Sequence, residues 1–146
     1  MTEKPRKLKV FLCHAVENKP IVQGLFNRLQ DSGFDPWVDN ESLLIGSDWD
    51  LEIQKAMRSS DAVIVCLSKI SIKKEGYVQK EIKYAQEILL EKPEGTIFLL
   101  PVQLEDCDIP FGLRDIHWGK YFEPDGYEKI VKALKVRARQ LGRKII

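Results

Sequence analysis

Residues 62–67 read Ala-Val-Ile-Val-Cys-Leu, six apolar side chains without a polar break. A strand with one wet face alternates polar and apolar residues. A short unbroken run rich in β-branched residues predicts a strand buried on both faces, and such strands belong to parallel sheets covered by helices above and below. The rest of the chain supplies neighbours and covers. Lys9–Cys13 (KVFLC), Phe34–Val38 and Thr96–Val102 are further strand-like runs, and Ile116–Trp118 suits a last short strand. Helical spacing runs over Glu17–Ser32, where Ile21, Leu25 and Leu29 share a face, with Pro20 near the start and Gly33 just past the end. A second helix is expected from Trp49 through Ile53, Ala56 and Met57, with Ser47 as its N-cap. Two more are expected over Gly76–Leu90 and Asp125–Leu141. Strands that alternate with helices, joined by right-handed crossovers, predict an α/β fold. It is a flavodoxin-like, doubly wound, five-stranded parallel sheet with helices on both faces and the 9–13 strand beside the 34–38 strand.

The chain has 146 residues, enough for one domain with a real core. With 44% hydrophobic and 31% charged residues, the balance excludes disorder. A formal net charge of +1 gives no reason to expect a nucleic-acid or anionic-membrane partner. No apolar run has the length to cross a bilayer, and Met1–Lys7 lacks the apolar core of a signal peptide. A soluble, cytoplasmic protein is expected. Cys13, Cys66 and Cys107 are odd in number and lack metal-ligand spacing, so they read as reduced thiols, with no metal site. The basic end of the last helix (Lys135, Arg137, Arg139, Arg143, Lys144) reads as a solvated face.

Ligands of open α/β sheets bind beyond the carboxyl ends of the strands. Here those ends carry Cys13-His14, Asp39 with its loop, Ser68, and the loop after Val102. No Walker loop and no GxGxxG is present. A phosphoacceptor receiver needs acidic residues where this chain has Cys13-His14 and Ser68. Cys13 and His14 are adjacent, so they point to opposite faces and do not form a nucleophilic dyad. The expected 76–90 helix holds the most informative carboxylate. Val78, Ile82, Ala85 and Leu89 form an apolar stripe, and Glu81 falls about 60° from Val78, on its flank. Tyr77, Tyr84 and Ile88 share that flank, while Lys80, Lys83 and Glu87 face solvent. A carboxylate at the edge of a core, bracketed by aromatics, is either a functional group or the partner of a nearby lysine.

Four segments in order resemble a known family. They are VFLCHA, FDPWVDNESLLIGSDW, SSDAVIVCLSKIS and GYVQKEIKYA. Together they look like a Toll/interleukin-1 receptor (TIR) domain of bacterial type, over about Lys9 to Leu141, with Cys13 where the family usually has serine. The resemblance implies a TIR domain over 9–142, after a flexible segment 1–8 and before a tail or linker start at 143–146. It also implies an NAD⁺ glycohydrolase or ADP-ribosyl cyclase that cleaves the nicotinamide–ribose bond, in bacterial immune signalling or NAD⁺ depletion. NAD⁺ is then a substrate, with no cofactor required. The Trp-x-x-x-Glu arrangement of enzymatic TIR domains maps onto Tyr77 and Glu81, a departure at the aromatic. Glu81 is the implied catalytic residue. Tyr77, His14, Ala15, Asp39 and Trp49 are implied to line the substrate site. For three of these a plainer role competes: His14 as a strand-end histidine bonded to backbone, Asp39 in an Asx turn, and Trp49 in core packing. Leu43, Leu44, Ile45 and Gly46 are the implied contact surface with other TIR domains, in a homo-oligomer formed on activation. The alternative is a non-catalytic TIR–TIR interaction module.

Overall fold

The computed structural model describes residues 5–38, 45–73, 77–142 and 145, with the side chains of Tyr77 and Val78 outside the described part. Five strands form one sheet: β1 (Lys9–Cys13), β2 (Asp35–Val38), β3 (Ala62–Leu67), β4 (Leu99–Gln103) and β5 (Gly119–Lys120). Every pairing is parallel and the order is β2-β1-β3-β4-β5. This is the expected doubly wound sheet. β3 is its central strand, and all six of its residues are buried. The helices are α1 (Lys19–Asp31), α2 (Trp49–Ser59), α3 (Lys69–Lys73), α4 (Tyr77–Leu90) and α5 (Gly126–Leu141).

The pleat of β1 sorts the two cores. Leu8, Val10 and Leu12 pack with Val22, Leu25 and Leu29 of α1 and with Ile130 and Leu134 of α5. Phe11 and Cys13 point the other way, to Ile53 and Met57 of α2 and to Ile82, Ala85 and Ile88 of α4. Because each crossover helix follows a parallel strand, α2 and α4 both begin at the carboxyl edge of the sheet, where ligands of such folds bind.

Proline placement is consistent with the ladder. Pro36 lies on the edge strand β2. Pro101 lies inside β4, yet Leu104 N–H donates to Leu67 O, so the even-numbered amides of β4 face β3. The missing amide of Pro101 therefore faces β5, which pairs only from Val102 onward.

Several boundaries differ from the sequence reading, each for a local reason. β4 starts at Leu99 rather than Thr96, because Thr96 N–H closes a turn onto Pro93 O and Ile97 N–H donates to Gln140 Oε1. β5 lies at 119–120 rather than 116–118, because Ile116 N–H turns back to Leu113 O. The N-cap of α2 is Asp48, whose Oδ1 accepts from Leu51 N–H at 3.1 Å, not Ser47. A short 3₁₀ turn, Val16–Asn18, precedes α1. The packed framework begins ahead of residue 9. Leu8 is buried, and Arg6 forks onto the Asp61 carboxylate at 2.5 and 2.8 Å. Arg137 is buried rather than solvated and donates to Asp61 O at 2.8 Å.

Candidate active site

Glu81 sits in the second turn of α4 and is fully buried, at 0% exposure. This corrects the expectation of a flank position. The buried face of α4 is Glu81, Ile82, Ala85 and Ile88, turned toward the glutamate from the stripe that spacing alone suggested. The flank and core of a helix differ by about one residue's rotation, and the sheet beneath decides between them. What α4 meets there is the end of β1. Cys13 Sγ donates to Glu81 Oε2 at 3.0 Å, and neither side chain touches solvent. Isolated buried carboxylates are costly, and a hydrogen-bond donor aimed at one oxygen offsets part of that cost.

The neighbouring groups come from the same edge. Ala15 is buried in the same cluster as Cys13, Ile82 and Ala85. His14 is 6% exposed, and its Nδ1 has no hydrogen-bond partner among the described residues, so the backbone bond of a plain strand-end histidine is absent at that nitrogen. Beyond β3, Ser68 Oγ donates to Asn18 Oδ1 at 2.8 Å, with both residues buried. On the α2 side, Tyr84 OH donates to both Asp50 oxygens at 2.9 and 3.0 Å, tying the first turn of α2 to α4. That bond, to a negative acceptor, holds the Tyr84 phenol above its ordinary range.

The structure brings together Glu81, Cys13 and Ala15 at the carboxyl end of β1, where His14 follows Cys13 in the chain. It takes Trp49 out of the core-packing role that competed with substrate lining. At 42% exposure the indole stands at the first residue of α2, one turn ahead of the buried pair Ile53 and Met57. Asp39, Leu43, Leu44 and the side chain of Tyr77 lie outside the described residues. Ile45 is exposed, and Gly46 turns at φ +93°. Cys13 is the residue that sequence reasoning missed: it read as a reduced thiol with no part in the site. The usable signal was period-two alternation, which puts Cys13 on the face of Phe11, the face that α4 covers.

The other thiols differ. Burial pushes Cys66 up to about 12, and burial together with Glu105, Asp106 and Asp108 raises Cys107. None of the three cysteines is in a disulfide. Among the described residues, no group of three or more His, Cys, Asp or Glu is placed to hold a metal ion, and no helix is long and apolar enough to cross a membrane. A cleft of about 700 Å³ between α1 and α5, lined in part by Arg28, Tyr127, Lys135 and Arg139, opens on the other side of the sheet from Glu81.

Comparison with known proteins assigns the family. A sequence model of the TIR domain matches residues 10–134. The chain belongs to the TIR domain family. In this TIR domain the matched span runs from the second residue of β1 into α5 and contains Cys13, His14 and Glu81. A protein named NAD(+) hydrolase TcpA, from Theionarchaea archaeon (strain DG-70-1), is 34% identical over 94 residues. That alignment covers 64% of this chain and 27% of the relative, so the chain spans about a quarter of that protein's length. Among solved structures, the TIR domain of the Toll-related receptor TRR-2 from Hydra magnipapillata superposes with a TM-score of 0.70 at 18% identity, covering 86% of this chain and 97% of that one. The CMP N-glycosidase BcmB of Clostridium botulinum gives 0.55 at 17%, covering 85% and 98%. At such identities these two likenesses speak for the fold.

Proposed function

We propose that this TIR domain is an NAD⁺ nucleosidase that cleaves the nicotinamide–ribose bond with Glu81 as its catalytic carboxylate. The observation that carries the reading is a fully buried glutamate at the carboxyl edge of a doubly wound sheet, hydrogen-bonded by the Cys13 thiol. The name of the 34%-identical relative supports the same substrate.

The chemistry needs little else. Ordinary glycosidases protonate a poor leaving group with a general acid. Nicotinamide in NAD⁺ is already cationic and departs neutral, so the bond breaks without proton transfer. The task left is to stabilise the oxocarbenium-like ribosyl cation and to hold the ribose hydroxyls. A carboxylate in a water-poor wall of Phe11, Ala15, Ile82 and Ala85 suits that task. Attack by water gives ADP-ribose; attack by the substrate's own adenine gives a cyclic product.

The full burial of Glu81 has a consequence. Substrate reaches it only after a rearrangement at the carboxyl edge, and we assign that rearrangement to self-association through the 43–46 segment. Bacterial immune signalling or NAD⁺ depletion in the cytoplasm is the setting in which such an assembly-gated activity fits. The same burial also favours the second reading, a TIR–TIR interaction module in which Glu81 is structural. Incubating concentrated protein with NAD⁺ and separating the products decides between them. Nicotinamide release supports the enzyme; intact NAD⁺ with demonstrable assembly supports the module.

A further inference from the structure

We propose that Cys13 is a positioning residue for Glu81, its thiol holding the carboxylate in the orientation that faces the ribosyl cation; this rests on the catalytic reading of Glu81. Three observations carry it. Cys13 Sγ donates to Glu81 Oε2 at 3.0 Å across 68 residues of sequence. Both side chains have 0% exposure, so no bulk water competes for the bond. Cys13 is also the last residue of β1, paired with Val65 of β3, so its backbone is fixed by the most buried part of the sheet.

The choice of donor matters. A lysine or arginine there would neutralise the glutamate and cancel the field that the ribosyl cation needs. A thiol orients one oxygen while leaving the negative charge in place, and its hydrogen is a weak donor. An unanchored glutamate side chain keeps several rotamers, and loss of aim costs rate more than it costs substrate affinity.

The test uses the full chain with Cys13→Ser, Cys13→Ala and Glu81→Gln. Steady-state NAD⁺ cleavage is measured on each, together with the infrared S–H stretching band of Cys13, isolated as the wild-type minus Cys13→Ser difference. Cys13→Ala is expected to lower kcat about tenfold, the size expected for a hydrogen bond to a charged group, with KM changed by less than about twofold. Cys13→Ser keeps a donor and recovers most of that loss. The S–H band sits at the low frequency of a bonded thiol in wild type and shifts to higher frequency in Glu81→Gln, where a neutral amide oxygen replaces the carboxylate as a weaker acceptor. Wild-type kcat in folded Cys13→Ala overturns the proposal, and so does a serine variant as slow as the alanine one. If Cys13→Ala does not fold, the serine rate and the S–H band decide, and a free-thiol band in wild type overturns it. Undiminished cleavage by Glu81→Gln overturns the catalytic reading itself. Loss of activity in Glu81→Gln with none in Cys13→Ala leaves that reading standing and removes only the positioning role.

Discussion

Asp61 shows how one side chain can anchor the ends of a domain. It is 5% exposed and sits just before β3. Its carboxylate accepts from Arg6 and from Lys9 N–H at 2.8 Å, and its carbonyl accepts from Arg137 of α5. Burial pushes the carboxyl toward the neutral form. The hydrogen bonds from Arg6 and Lys9 and the charges of Arg6 and Arg137 outweigh it and hold the pKa below the ordinary value. A carboxyl whose folded pKa is depressed adds stability above its unfolded pKa and loses it as pH falls through the folded one. Asp61→Asn is therefore expected to cost about 1–3 kcal/mol at neutral pH, with the gap to wild type closing in acid below the aspartate range. Urea unfolding at both pH values checks this, and a gap that stays constant with pH would refute it. At the same scale, the sequence marked Glu81 but misjudged its burial. Helical phase gives an angle relative to neighbours, not the position of the sheet that covers them. The bond from Cys13 spans 68 residues, and no local pattern encodes it.

Elements were more legible than their ends. β1 and β3 fall where their apolar runs lie, because continuous burial leaves a continuous hydrophobic signature. The β4 and β5 boundaries were set by tight turns and, at β4, by the tertiary bond from Ile97 N–H to Gln140, and the α2 cap by which of two adjacent residues, Ser47 or Asp48, accepts from Leu51 N–H. α3 is five residues long with three of them polar, too short for a periodic pattern to stand out. The start of α5 has its own constraint. A Cβ on Gly126 would lie 2.1 Å from Lys120 O and 2.9 Å from Tyr121 Cα, both backbone atoms. Only glycine lets α5 leave β5 at this distance. Gly126→Ala is expected to lower stability by about 1–3 kcal/mol through a forced backbone shift, read as a fall in Tm. An unchanged Tm would mean that the β5–α5 approach is looser than the structure has it.

At the scale of the whole molecule, the sheet divides labour between its faces. α1 and α5 pack one side, where Tyr127 OH meets Ser32 Oγ at 2.5 Å and donates to Arg28 O. α2 and α4 pack the other and carry Glu81. Ile45, four residues ahead of α2, has 107% exposure, a large apolar side chain that no described residue covers. Leu43 and Leu44, its neighbours in sequence, lie outside the described residues. If assembly through this segment opens the site, Ile45→Asp lowers self-association and NAD⁺ cleavage together. Light scattering and turnover at matched concentrations measure both. Full turnover by a demonstrably monomeric Ile45→Asp variant would contradict the gating role.

Nicotinamide release from Glu81→Gln beside wild type, both concentrated and assembled, reads out whether the Glu81 charge drives NAD⁺ cleavage. Glutamine keeps the shape and an acceptor for Cys13 but removes the charge. Because Glu81 is buried, a Tm is recorded on the same samples so that lost folding is not read as lost chemistry. A fall of roughly 10²–10³-fold in kcat is expected, the size of losing one aimed electrostatic group, in a variant that still folds and assembles. Wild-type turnover by the glutamine variant would contradict it.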